Sequence, residues 1–276
     1  ACTGSQGIRD AQESAERLCL GLDIPVTEVA VLSTGVIGVP LPMNRIQKGI
    51  DTALEALNAA GHGDAARAIM TTDTVPKEMA IEIPLSTGPV RIGSMVKGSG
   101  MIAPNMATMI GIVTTDAAMA PDHLRTLLKE CVDRSFNCMC IDNDMSTSDA
   151  LLCFANGQAM DGTLTPGTED YERFAEALDQ LCVAQAQALV RDGEGATKFV
   201  EIVVAGAEND NDAKTVARSI AHSLSLGKTP IGVVLPVQPV IPGSRFFRNA
   251  SAFILVTWKW STKACPRFST KRSPRK

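Results

Sequence analysis

The chain has 276 residues, of which 45% are apolar and 20% charged, so it can bury a substantial core in one large domain or two smaller ones. No apolar run approaches the roughly 20 residues that a membrane-spanning helix needs, which excludes that class. The net charge of −4 conceals an asymmetry: the last acidic residue is Asp212, and the 64 residues after it hold 12 Lys and Arg, so a −16 body precedes a +12 tail.

The opening, ACTGSQGIRD, has no initiator Met, no signal core and no Arg-rich transit pattern, and reads as starting inside a longer protein. Residues 8–22 and 43–58 are predicted as amphipathic helices; in the second, Ile46, Ile50, Leu54 and Leu57 share a face. Between them VTEVAVLST (26–34) reads as a strand ending in the turn-like pair Thr34-Gly35. A short helix over 63–70 leads into TTDT (71–74). Met79, Ile81, Ile83 and Leu85 alternate as a half-buried strand does, and Ser86-Thr87-Gly88 turns into a second strand over 89–96. A glycine-rich loop, KGSGMIAPNMATM (97–109), then enters an apolar run.

Helical spacing returns over 121–136 through Leu124, Leu127, Leu128, Cys131 and Val132. Strands are predicted at 138–142 and 150–155, a long helix at 168–191 stopping at Gly193, a strand at 197–205 and a helix at 211–222. This is an α/β pattern, with antiparallel pairing where the turns are short. Beyond His222 the pattern breaks: GKTPIGVVLPVQPVIPGSRFF (227–247), with four prolines and no sustained period, predicts an irregular tail. The eight cysteines do not form a disulfide or zinc pattern: Cys19, Cys131, Cys153 and Cys182 sit in apolar periodic segments, and Cys138 and Cys140 are one residue apart. They read as reduced core residues, which fits a reducing compartment. Asp73, Asp142, Asp144 and Asp149 read as caps and turns, because no His and no calcium-loop spacing accompanies them. No metal is expected. His62, His123 and His222 occupy helical or flanking positions, and none is placed as a general base.

The stretch with chemical potential is KGSGMIAPNMATM. Gly98 and Gly100 allow backbone conformations closed to other residues, and Pro104 stiffens the approach to Ala107-Thr108. A threonine hydroxyl there can attack the preceding carbonyl and break the chain. The freed α-amino group, with a reference pKa near 8, then serves as base to the same hydroxyl. On spacing alone the plainer reading also stands, with Thr108 an ordinary residue at the start of a buried strand. The same holds for STGVIG as a strand-ending turn, for Lys97 as a solvated loop lysine and for Glu194 as a polar residue past a helix end.

KGSGMIAPNMATM resembles the cleavage motif of the ornithine acetyltransferases, the glutamate N-acetyltransferase family. Four further segments resemble that family in the same order: STGVIG (33–38), AARAIMTTDTVPK (65–77), the STSD region with FANG (146–157) and DGEGATK (192–198). The likeness covers about residues 1–221. It implies a four-layer αββα sandwich, incomplete in this chain, cleaved between Ala107 and Thr108. Residues 1–107 then correspond to the C-terminal part of an α-subunit and 108–221 to the N-terminal part of a β-subunit. The two fragments stay associated, as a higher homo-oligomer.

Carried over residue by residue, the resemblance makes Thr108 the nucleophile and Thr34 with Gly35 the oxyanion pair. It gives Lys97 to a substrate carboxylate, Glu194 to the ornithine ammonium and Thr71 to a further substrate contact, with Thr72 and Thr74 left open by register. The reaction implied is ping-pong transfer of acetyl from N-acetylornithine to glutamate, with no cofactor and with acetyl-CoA as an alternative donor. Neither membrane nor nucleic acid is implied as partner. The location implied is the cytoplasm in a bacterium or the mitochondrial matrix in a eukaryote. From residue 222 the likeness ends, and a frameshifted C-terminus, with activity of this chain in doubt, is the expectation. The competing functional readings are an N-terminal-nucleophile aminopeptidase or amidohydrolase, and an inactive remnant whose basic tail binds polyanions.

Overall fold

The computed structural model describes residues 2–101, 109–142, 146–221, 231–234 and 253–260. It opens with two helices, α1 (Gly4–Leu22) and α2 (Met43–Glu55), packed side by side. They pack closely at Gly21, where an added Cβ would lie 2.2 Å from Leu54 Cδ1. A two-pronged Arg17–Asp51 pair at 2.7 and 2.6 Å ties the same two helices. The expected strand over 26–34 does not form: Val26–Glu28 is a 3-10 turn and 29–35 has no regular structure. Val31, Val36, Ile37 and Val39 are exposed there. A β-rich sequence becomes a strand only against a partner edge, and among the described residues none pairs with it.

After the short helix α3 (His62–Ala68), the alternating segment forms β1 (Lys77–Leu85), which turns directly into β2 (Gly88–Lys97). The two are antiparallel from Lys77↔Val96 to Leu85↔Gly88. Gly88 takes φ +127°, which a side chain would resist, and Asp170 accepts the Ser86 N–H at 3.0 Å, locking the turn. β3 (Ile110–Thr115) pairs antiparallel with β2 and parallel with β5 (Ala150–Ala155). The parallel pair is joined through α4 (Pro121–Arg134) and the short β4 (Met139–Cys140), since a parallel connection needs a crossover. The first sheet therefore runs β1-β2-β3-β5.

The long helix α5 (Glu169–Arg191) has Glu169, Asp170 and Glu172 in its first turn and Arg191 in its last, matching its dipole. Its stripe of Phe174, Leu178, Leu181, Cys182, Ala186 and Leu189 is buried with Ile83, Val90, Ile92 and Val96 of the first sheet and Leu127 and Cys131 of α4. Buried Gln185 donates to Ser94 Oγ at 2.7 Å, satisfying a polar pair inside that contact. The second sheet, β4-β7-β6-β8, contains β6 (Lys198–Ala205), β7 (Ile231–Val234) and β8 (Phe253–Trp260). Between β6 and its parallel partner β7 lies α6 (Asp210–Ala221). Val200, Ile202 and Val204 bury against Ala213 and Ala217 of that helix.

The mixed α/β class is as expected. The tail is not: where an irregular stretch was predicted, two strands form, and β8 runs antiparallel to the whole of β6, from Lys198↔Trp260 to Ala205↔Phe253. The apolar, β-branched and aromatic run FILVTWKW is a good strand former once an edge is offered. Cys131, Cys138, Cys140 and Cys182 are buried and reduced, Cys19 and Cys153 half-buried and reduced, and Cys2 is exposed. Among the described residues no helix is long and apolar enough to cross a membrane.

Candidate active site

Lys97 ends β2, paired with Ile110 of β3 on one side and one residue past the Lys77↔Val96 pair with β1 on the other. That central position leaves it only 1% exposed. A buried ammonium needs partners, and it donates to Thr71 Oγ1 at 2.8 Å and lies 3.9 Å from the Asp73 carboxylate. Burial pulls the Lys97 pKa below the ordinary lysine range; Asp73 and Glu194 oppose the shift and Lys77 adds to it.

Asp73 is the hub. Its Oδ1 accepts from Lys77 Nζ at 2.7 Å and from the Gly98 N–H at 2.7 Å, and its Oδ2 accepts the Thr71 N–H at 3.1 Å. Burial pushes its pKa up, but the Gly98 N–H, Lys77 and the Thr71 N–H together outweigh burial, so the carboxyl titrates below its usual range. Lys77, buried at the start of β1, also donates to Asp192 at 2.6 Å. Asp192 follows α5 and in turn accepts the Thr74 N–H at 3.0 Å and the Thr74 hydroxyl. Two lysines and two aspartates thus balance in charge, as buried ions must.

The glycine loop joins this group. Ser99 shares a 2.6 Å hydrogen bond with the Thr72 hydroxyl, and its carbonyl accepts the Glu194 N–H at 2.6 Å. A Cβ on Gly100 would sit 2.7 Å from the Glu194 carboxyl carbon, so only glycine leaves that carboxylate its place. Thr71, Lys97 and Glu194, chosen from the sequence, therefore gather around the loop 97–101 with Thr71 and Glu194 exposed and Lys97 behind them. Thr34 and Gly35 are not joined to that group by any described hydrogen bond; Thr34 is half-buried, and a Cβ on Gly35 would meet nothing within 4 Å. Ala107 and Thr108 lie outside the described residues, as does Asp144. Met109, the residue after Thr108, donates its N–H to Asp149 at 2.8 Å. Burial, only partly offset by that bond, raises the Asp149 pKa to about 6.

Asp142 accepts the Met101 N–H. His62 pairs with Glu78 at 2.8 Å on the surface. Among the described residues no cluster of three or more His, Cys, Asp or Glu could hold a metal. Sequence reasoning missed Lys77, Asp192 and Ser99 altogether and read Asp73 as a turn residue. One signal was available: Lys77 falls in phase with Met79, Ile81, Ile83 and Leu85 on the apolar face of β1, a costly place for a charge without a partner.

These features define a mixed α/β protein with a charge-balanced polar site at the end of paired strands, beside a glycine loop. A family model described as the ArgJ family matches residues 1–232, past residue 221 where the likeness was expected to end. The chain belongs to the ArgJ family. It is 50% identical over 223 residues to the arginine biosynthesis bifunctional protein ArgJ of Symbiobacterium thermophilum, covering 81% of this chain and 56% of that protein. It is 46% identical over 231 residues to the protein of that name from Synechococcus, covering 84% and 55%. The crystal structure of arginine biosynthesis bifunctional protein argJ from Bacillus halodurans shares 41% identity, with a TM-score of 0.34 over 39% of this chain and 56% of that one. The chain spans about half the length of the curated relatives it matches.

Proposed function

We propose that this chain is part of a self-cleaving acetyltransferase of arginine biosynthesis that moves acetyl from N-acetylornithine to glutamate. The observation that supports this best is the meeting of Thr71, Lys97 and Glu194, from three distant segments, around the loop that leads to Thr108. An ammonium and a carboxylate at one site suit an amino-acid substrate: Lys97 takes the α-carboxylate, Thr71 steadies it and Glu194 pairs with the side-chain ammonium of ornithine. Relatives named for arginine biosynthesis support the same reading.

Thr108 Oγ attacks the Ala107 carbonyl and the peptide C–N bond breaks, which frees the Thr108 amine and leaves Ala107 esterified to Oγ; water then cleaves that ester, releasing the Ala107 carboxylate and restoring the hydroxyl. In turnover that amine takes the hydroxyl proton as Oγ attacks the acetyl carbonyl. Thr34 Oγ and the Gly35 N–H donate to the oxyanion, for which one lost donor costs roughly 10²–10³ in rate. The amine of ornithine leaves with the proton, and the amine of glutamate then takes the acetyl group from Thr108 Oγ. The reading requires no cofactor, and acetyl-CoA is a second possible acetyl donor to the same hydroxyl. The two fragments act as one associated unit within a homo-oligomer.

The test is a denaturing gel and mass spectrum of purified protein, followed by assay with N-acetylornithine with and without glutamate. Fragments of 107 and 169 residues, with N-acetylglutamate formed only when both substrates are present, are expected. An intact Ala107-Thr108 bond in folded protein overturns the mechanism. Acetate released to water at the same rate without glutamate favours an amidohydrolase instead.

A further inference from the structure

We propose that Asp73, backed by Lys77, is a positioning residue that holds the Thr71 and Lys97 arms of the site in register with each other. This rests on the reading of Thr71 and Lys97 as substrate contacts. One carboxylate reaches both arms: Oδ2 accepts the Thr71 N–H at 3.1 Å, while Oδ1 accepts the Gly98 N–H at 2.7 Å, the peptide directly after Lys97. Its side chain is fully enclosed, so no water competes for these bonds. Lys77, 2.7 Å away, is pulled from the other side by Asp192 at 2.6 Å, which keeps Asp73 from swinging onto Lys97 as a closed ion pair. The 3.9 Å gap between Lys97 Nζ and Asp73 is the result. Lys97 stays charged by Asp73's proximity yet spends its short hydrogen bond on Thr71, with capacity left for a substrate carboxylate.

Among the described residues the charged groups acting on Lys97 are Asp73 from the 71–74 loop, Lys77 from β1 and Glu194 from the segment after α5. Asp192 acts through Lys77, and β3 presents only Ile110 across the ladder. The arrangement predicts opposite effects from two neighbouring substitutions. Asp73→Asn removes the anion that holds the Lys97 proton; Lys77→Met removes the cation that competes for Asp73. A merely structural role for either residue would loosen the site in the same way for both.

The experiment follows the side-chain NMR signals of the full chain labelled with ¹³C-lysine, the Lys97 signal being assigned by its loss in Lys97→Met. Asp73→Asn should lower the Lys97 titration midpoint by about one pH unit or more, and Lys77→Met should raise it. N-acetylornithine added to wild type should shift the Lys97 signal, with apparent affinity about tenfold weaker in Asp73→Asn. Midpoints that move in the same direction, or do not move, overturn the proposal. Should Asp73→Asn fail to fold, an unchanged or lowered midpoint in Lys77→Met overturns it alone. If N-acetylornithine leaves the wild-type Lys97 signal in place, the substrate reading fails, whereas the two titrations still judge the Asp73–Lys77 coupling.

Discussion

Lys97 shows at the residue scale how a site is placed against stability. Its pKa is lowered because burial disfavours the ammonium more than Asp73 and Glu194 restore it. The unfolded chain therefore binds the proton more tightly than the folded one, and stability rises with pH as the solution passes from the depressed folded value toward 10.5. Lys97→Met should remove that pH dependence, and because it takes one cation from a charge-balanced buried group, it should also lower the melting temperature at pH 7. The same change should abolish N-acetylornithine binding, since the carboxylate loses its cation. A Lys97→Met protein that keeps its melting temperature and binds normally would refute both halves of that account.

Asp149 gives the mirror case. Its folded pKa of about 6 lies above the unfolded 3.8, so between these values the folded state holds the extra proton and stability falls as pH rises. The full linkage is at most about 3 kcal/mol, less with partial solvent access. Asp149→Asn keeps an acceptor for the Met109 N–H and should flatten the melting temperature between pH 4 and 6.5 while raising it at pH 7. Equal pH profiles for the two proteins would show that the carboxyl is not held protonated.

At the scale of elements, β3 is confined from both sides. A Cβ on Gly111 would fall 2.5 Å from Leu151 Cδ1 and 3.1 Å from Val96 Cγ1, the residues of its two neighbouring strands. Gly111→Ala must displace one of them within a packed sheet, so denaturant unfolding should show a loss of about 1–3 kcal/mol. Gly111 lies three residues after Thr108, so the proposed self-cleavage should slow as well. Gly93, whose added Cβ would meet only Thr114 Oγ1 at 3.4 Å, is the control and should tolerate alanine.

Over the whole molecule, the second sheet depends on a distant segment: β8 supplies the antiparallel partner along all of β6. Without it β6 would present a row of unpaired N–H and C=O groups. A chain ended at residue 252 should lose hydrogen-exchange protection over 198–205 and aggregate more readily, whereas protection in β1 and β2 should persist because their partners lie within the first sheet. Unchanged exchange in β6 would mean that β8 contributes no ladder.

The helices, the β1–β2 hairpin, the mixed α/β class and the family motifs were legible in the sequence, because periodicity and turn chemistry are local properties of the chain. Met79, Ile81, Ile83 and Leu85 announce a half-buried strand wherever they occur, and the spacing of Leu124, Leu127, Leu128, Cys131 and Val132 announces a helix. Pairing is not local. VTEVAVLST has strand composition but meets no partner edge and stays irregular, while FILVTWKW, in a tail with no readable pattern, becomes a strand because β6 offers it one. The site divides the same way: Thr71, Lys97 and Glu194 could be named from motifs, yet their meeting depends on Asp73, Lys77 and Asp192. Those three are separated by up to 119 positions, so that, beyond the in-phase lysine at 77, their link appears only when burial forces their charges to answer one another.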